Sequence, residues 1–118
     1  MVLVVDDNLW NRELVSVILK KAGFSVIEAD TAEQGIEIAR SRMPDLIIMD
    51  IFLPSMSGLE AVKILKSDTS TKHIPVIALT ARAIKSELEQ AIQAGCTGHI
   101  TKPINKKKFL KEIQRLIE

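Results

Sequence analysis

The chain has 118 residues, 47% of them hydrophobic, which is enough apolar material for the core of one compact domain over residues 1–118. A formal net charge of +1 provides no global field to draw it to nucleic acid or to a membrane surface. The lone cysteine, Cys96, excludes an internal disulfide, the apolar run from Met1 to Val5 is too short for a signal peptide, and no apolar segment approaches the roughly 20 residues of a spanning helix, so a cytoplasmic protein is expected.

Val2 to Val5 is a short β-branched run, the pattern of a strand buried on both faces. It ends in Asp6-Asp7-Asn8, of which Asp7 or Asn8 caps the helix that follows. Leu14, Val15, Ile18 and Leu19 mark that helix at helical spacing, and Gly23 ends it. Phe24 to Ala29 reads as a second strand. Asp30 or Thr31 caps a second helix to about Ser41, with Ala32, Gly35, Ile36 and Ala39 on its inner face; Pro44 ends the connection. Leu46-Ile47-Ile48-Met49 is again apolar without alternation, and the run stops at a single carboxylate, Asp50. Phe52-Leu53-Pro54 and Gly58 turn the chain into a third helix to about Lys66, with Leu59, Val62 and Leu65 inward. Ile74 to Leu79 is a fourth strand ending in Thr80-Ala81, and Ile84 to Ala94 a fourth helix closed by Gly95. Gly98 to Thr101 is a short fifth strand ending in Lys102-Pro103. The last helix, Lys106 to Ile117, is apolar at Phe109, Leu110, Ile113, Leu116 and Ile117.

Strand and helix alternate five times, which predicts a doubly wound α/β fold with helices on both faces of a parallel sheet. Right-handed crossovers leave few topologies, and the flavodoxin-like order 2-1-3-4-5 sets strands one and three together at the centre. Ligands of such sheets bind beyond the strand C-termini. There Asp6, Asp7 and Asp50 meet, and Thr80 and Lys102 arrive from strands four and five. Two carboxylates about 4 Å apart repel by about 4 kcal/mol at an effective dielectric of about 20. The cluster must therefore protonate, recruit a cation, or both. Lys102 offers one positive charge; a hard divalent ion such as Mg²⁺, which prefers carboxylate, carbonyl and water oxygens, offers two. An aspartate beside a metal and a lysine is equipped to attack phosphorus and form an aspartyl-phosphate. The metal and Lys102 would neutralise the phosphoryl oxygens, and the Thr80 hydroxyl can donate to one of them.

Val4-Val5-Asp6-Asp7-Asn8, Leu46 to Asp50 with Pro54 and Gly58, Ala78-Leu79-Thr80-Ala81 and Thr101-Lys102-Pro103 together resemble a bacterial two-component response-regulator receiver domain. The likeness runs from Val2 to the last helix and is nearest to single-domain receivers and those of hybrid sensor kinases. It implies Asp50 as the phosphoacceptor, Asp7 as a direct Mg²⁺ ligand, Asp6 as one acting through a metal-bound water, and the backbone carbonyl of Phe52 as the third protein ligand. Thr80 and Lys102 match the residues that read the phosphoryl group, and Lys102–Pro103 matches a peptide bond that is usually cis. The resemblance further implies a sensor histidine kinase or histidine phosphotransfer protein as donor. The readout would be a changed face of helix four, strand five and helix five, recognised by an effector or an attached output domain. On this reading the chain is a signalling domain able to hydrolyse its own aspartyl-phosphate, not an enzyme acting on other substrates. It has no direct nucleic acid or membrane partner.

Two other classes compete. A phosphohydrolase of the haloacid-dehalogenase type needs a second acid two residues after its nucleophile, where this chain has Phe52. A flavin or nucleotide binder of this topology needs a glycine-rich or hydroxyl-rich first turn, whereas Asp6-Asp7-Asn8 repels phosphate unless a metal intervenes. His99 stands where the family has Tyr or Phe; either its ring swings inward with Thr80 or it rests on the surface. Trp10 either anchors a partner or packs on neighbouring side chains. Phe52 and Arg82 flank the site entrance. Cys96 reads as a small buried apolar residue. Lys106, Lys107, Lys108, Lys111 and Arg115 form either a solvated face or a docking face for an acidic partner. The start at Val2, with no lysines ahead of the strand, suggests a domain cut from a longer protein; the alternative is a complete single-domain regulator.

Overall fold

Five parallel strands pair in the order β2-β1-β3-β4-β5 in a computed structural model that describes residues 1–51, 56–80 and 85–117. They are β1 (Val2–Val5), β2 (Val26–Ala29), β3 (Leu46–Asp50), β4 (Val76–Thr80) and β5 (Gly98–Thr101). The helices between and after them are α1 (Leu9–Lys21), α2 (Ala32–Arg42), α3 (Gly58–Ser67), α4 (Lys85–Ala94) and α5 (Lys106–Ile117). This is the doubly wound flavodoxin-like topology that the strand–helix alternation predicts. Phe52, Leu53, Pro54, Ala81, Arg82, Ile84 and the side chain of Ile117 lie outside the described residues.

The unbroken apolar runs follow from burial on both sides of the sheet. Successive side chains of a strand leave by opposite faces. In β3, Ile47 and Met49 join Leu3, Val5, Val76 and Ala78 against α2, α3 and α4. Leu46 and Ile48 join Val2, Val4, Ile77 and Leu79 against Val15, Ile18 and Leu19 of α1 and Phe109 and Ile113 of α5. A strand with water on one face would have needed polar residues at alternate positions.

Helix starts are capped by side chains that accept the orphan amides of the first turn. Asn8 accepts from the Asn11 N–H, and Thr31 from that of Gln34. Ser57 and Asn105, which the sequence reading passed over, do the same for Glu60 and Lys108. α1 ends as Gly23 takes φ +97°, where a side chain would be strained.

Three details differ from the sequence reading. β2 begins at Val26, because the Phe24 N–H still bonds the Leu19 carbonyl as part of the α1 C-terminal turn. β4 begins at Val76, because the Ile74 N–H closes a turn on Thr71. Leu14 is 46% exposed; it lies outside the arc of Val15, Ile18 and Leu19 that meets the sheet. Trp10 is 80% exposed, so most of its ring faces solvent. No helix among the described residues is long and apolar enough to cross a membrane.

Candidate functional site

The register of the central strands assembles the acidic cluster. Val5 of β1 pairs with Met49 of β3, so Asp6 and Asp50 come next, side by side. Both continue the alternation that carries Val2, Val4, Leu46 and Ile48 toward α1 and α5, and Lys102 continues that of Ile100 in β5. Asp6 has no exposure, and Asp50 is 4% exposed. Asp7 is exposed, yet one oxygen from each of Asp6, Asp7 and Asp50 lies within 4.8 Å of the others. The Lys102 ammonium donates to Asp50 Oδ2 at 3.0 Å and lies 3.3 Å from Asp6 Oδ2.

These contacts set the ionisation of the cluster. Asp6 Oδ1 accepts the Asn8 N–H at 2.9 Å, whereas Asp6 Oδ2 is buried and makes no well-aligned hydrogen bond, the Lys102 ammonium standing 3.3 Å from it. Burial, and then the charge of Asp50, push the Asp6 carboxyl above the ordinary range against the opposing pull of Asn8 and Lys102. For Lys102, burial works against the charge. Its contacts with Asp50 and Asp6 outweigh burial, and the net shift is upward, so the ammonium stays charged.

The donor set suits a hard divalent cation. It is all oxygen, it holds three carboxylates against one ammonium, and one of its buried carboxylate oxygens, Asp6 Oδ2, makes no well-aligned hydrogen bond. Asp6, Asp7 and Asp50 are the side chains that could hold the ion. The Phe52 carbonyl, expected as a further ligand, lies outside the described residues.

The remaining expected residues sit at the same edge of the sheet. Thr80 is buried at the end of β4, and its carbonyl accepts the Lys102 N–H at 2.7 Å, which fixes where Lys102 leaves β5. Its hydroxyl lies 3.4 Å from that of Thr101, the residue paired with it in β5. The contact is at the long limit of a hydroxyl hydrogen bond and therefore weak. The Lys102–Pro103 peptide bond is cis. His99 is exposed and borders a cleft of about 350 Å³ with Pro103, Asn105, Lys108 and Glu112. Lys106, Lys107, Lys108 and Lys111 are exposed, and Arg115 pairs with Glu112 on its own helix. Cys96 is buried, which pushes its thiol up to about 11 and leaves it unreactive at neutral pH.

Two residues gain roles that the sequence reading missed. The sequence places Gly58 in the turn that opens the third helix and in the receiver-like pattern, without giving the reason for a glycine there. A Cβ there would overlap the Asp50 carbonyl and the Ile51 Cα, and its N–H donates to the Ile51 carbonyl at 3.2 Å, so α3 presses directly on the strand end that carries Asp50. Arg12 of α1 donates from Nε to Glu28 of β2 at 2.9 Å and from its terminal nitrogen to the Asp6 carbonyl at 2.8 Å. The one available signal was Glu28, an isolated acid in an otherwise apolar strand end.

Comparison with known proteins bears on the same residues. The response regulator receiver domain family model matches residues 2–114. The polar-differentiation response regulator DivK of Brucella ovis is 42% identical over 113 residues, which are 96% of this chain and 92% of that protein. The chemotaxis protein CheY4 of Vibrio cholerae superposes with a TM-score of 0.92 at 33% identity, covering 98% of this chain and 96% of that one. The receiver domain of a sensor histidine kinase from Pseudomonas aeruginosa PAO1, with magnesium coordinated in its active-site cleft, superposes with a TM-score of 0.91 at 29% identity, covering 98% of this chain and 95% of that one.

Proposed function

The chain belongs to the response regulator receiver domain family, and from that premise we propose that Asp50 takes a phosphoryl group from a partner's phosphohistidine in a Mg²⁺-dependent reaction. The observation that carries the reading is the convergence of Asp6, Asp7 and Asp50 on one point, with the Lys102 ammonium 3.0 Å from Asp50. Asp6, Asp7, Asp50 and the Phe52 carbonyl would hold the ion. When bound, Mg²⁺ supplies the positive charge that lets phosphoryl oxygens approach three carboxylates.

The chain's own residues account for the rest. A carboxylate oxygen of Asp50 attacks phosphorus as the P–N bond to the partner's imidazole breaks, and the ring departs with the electron pair. Lys102, already on Asp50, moves to a phosphoryl oxygen as charge accumulates there. The Thr80 hydroxyl exchanges its weak contact with Thr101 for another phosphoryl oxygen. The new group carries about −1.5 to −2 charge. Moving a two-state protein from 1% to 99% active takes about 5.5 kcal/mol, within reach of two or three charge-assisted bonds of about 1.5–3 kcal/mol each.

The displaced Thr80 reshapes the face of α4, β5 and α5, on which His99 is exposed, and an effector or attached output domain reads it. Hydrolysis of the aspartyl-phosphate resets the switch, and a sensor histidine kinase or histidine phosphotransfer protein in the cytoplasm supplies the next phosphoryl group. Phe52 stands where a phosphohydrolase of the competing type needs its second acid.

The test is transfer from a histidine phosphotransfer domain phosphorylated with a radiolabel. Label moves to the wild type in Mg²⁺, and not to Asp50→Asn or after chelation. Equal labelling of Asp50→Asn would overturn the assignment.

A further inference from the structure

Asp7 is the exposed member of the cluster, and it stands between the end of β1 and the α1 cap, Asn8. Its carboxylate reaches the other two only if the backbone leaves the strand in one direction. On one side the Asp6 N–H is held by the Ala29 carbonyl at 3.1 Å. On the other the Asn8 N–H is held by Asp6 Oδ1 at 2.9 Å. Between them lies the Asp6–Asp7 peptide, whose oxygen accepts from Arg12 at 2.8 Å. A peptide is planar, so fixing that oxygen fixes the direction of the Asp7 N–H and Cα.

We propose that Arg12 is a positioning residue for the acidic site: clamped by Glu28, it holds the Asp6 carbonyl and thereby aims Asp7 at the shared cation position. The proposal rests on the receiver reading of that site. The guanidinium suits the task because its rigid fork serves two acceptors at once, Glu28 on β2 and the Asp6 carbonyl on β1. A lysine ammonium cannot reproduce that planar fork. Charge alone makes the opposite prediction. A cation beside three carboxylates should weaken metal binding, and Glu28, 2.9 Å away, offsets the Arg12 charge. Arg12's contact with Asp6 is to a backbone oxygen, not to the carboxylate.

The experiment compares wild type, Arg12→Ala, Arg12→Lys and Glu28→Gln by backbone NMR, first metal-free and then during Mg²⁺ titration. Metal-free spectra of the Arg12 variants should show shifted Asp7 and Asn8 amides with Thr80 and Thr101 unmoved. The Mg²⁺ Kd should rise about ten-fold in both Arg12 variants, as expected when a group that orients a ligand is lost, and rise less in Glu28→Gln. Phosphorylation by acetyl phosphate at saturating Mg²⁺ should then recover toward wild type. A tighter Arg12→Ala together with an unchanged Arg12→Lys would show a pure charge effect and overturn the proposal. So would wild-type Kd values with an unmoved Asp7 amide. Should Arg12→Ala fail to fold, Arg12→Lys and Glu28→Gln decide the matter by the same criteria. A wild type that binds no Mg²⁺ would remove the metal site itself, a failure distinct from a wild type that binds and variants that match it.

Discussion

Replacing Asp6 by Asn should stabilise the metal-free protein, although it removes an ion-pair partner. Asp6 Oδ2 lies 3.3 Å from the Lys102 ammonium, an attraction of about 5 kcal/mol at an effective dielectric of about 20. Repulsion from Asp50, at no more than 4.8 Å, is at least about 3.5 kcal/mol on the same scale. Asp7 adds roughly half as much again, since it is exposed and screened. Attraction and repulsion therefore nearly cancel, leaving the cost of burying a carboxylate with no exposure, an effective several kcal/mol per ion. Asn keeps the acceptor that takes the Asn8 N–H, though its amide nitrogen then takes the place of Oδ2 beside the Lys102 ammonium and the bond to Asn8 loses its charge assistance, about 1 kcal/mol. The net expectation is a gain of about 1–2 kcal/mol, or about 4–8 °C in Tm for a domain of this size. The sign agrees with the raised Asp6 carboxyl: its contribution to stability is complete below the ordinary value of 3.8 and is lost as pH rises through the folded-state value. The advantage of Asp6→Asn should accordingly grow as pH rises through the folded-state value and vanish in acid, where Asp6 is protonated. Thermal melts in chelator from pH 7 downward measure it. Mg²⁺ at 100 times its Kd stabilises the wild type by about 2.7 kcal/mol and should reverse the order. An Asp6→Asn protein less stable than wild type in chelator at pH 7 would mean that the ion pair with Lys102 outweighs the cost of burying the Asp6 carboxylate.

Lys102→Gln leaves two buried carboxylates without their ammonium; it should lose about 2 kcal/mol in metal-free urea melts, discounted because Lys102 is 21% exposed, and phosphorylation should slow by about 100-fold. Unchanged stability would place Lys102 outside the electrostatics of the cluster. Gly58→Ala should cost about 1–3 kcal/mol by urea denaturation, because the new methyl meets backbone and not a movable side chain; a midpoint equal to wild type would contradict the close approach of α3 to β3. Thr80→Val should still take up a phosphoryl group, but beryllofluoride should no longer shift β5 and α5 amides or the His99 ring resonances. Identical His99 shifts with and without the mimic in wild type would leave His99 a surface residue.

The central features were legible because one constraint dominates each. β3 could be read from Leu46 to Met49 since burial on both faces permits no polar residue, and Asp50 stood out as the polar residue ending the run. The inner face of α2 was legible for the same reason: Ala32, Gly35, Ile36 and Ala39 are its buried residues. Leu14 misled because helical spacing fixes an angle but not the width of the contact with the sheet. The Thr80–Thr101 contact depends on the β4–β5 register, which no single strand encodes. Arg12 bonding Glu28 and the Asp6 carbonyl depends on register and rotamer together. The approach of Gly58 to Asp50 depends on how α3 docks, and the local pattern there says only turn.

On the proposed function the acidic cluster and Lys102 make the Asp50 carboxylate a phosphoryl acceptor. Intact-mass spectrometry after incubation with acetyl phosphate tests it most directly. One base-labile phosphoryl adduct is expected, which requires Mg²⁺ and is absent in Asp50→Asn. Unchanged mass with acetyl phosphate and other small phosphodonors, or an adduct of equal yield in Asp50→Asn, would contradict it.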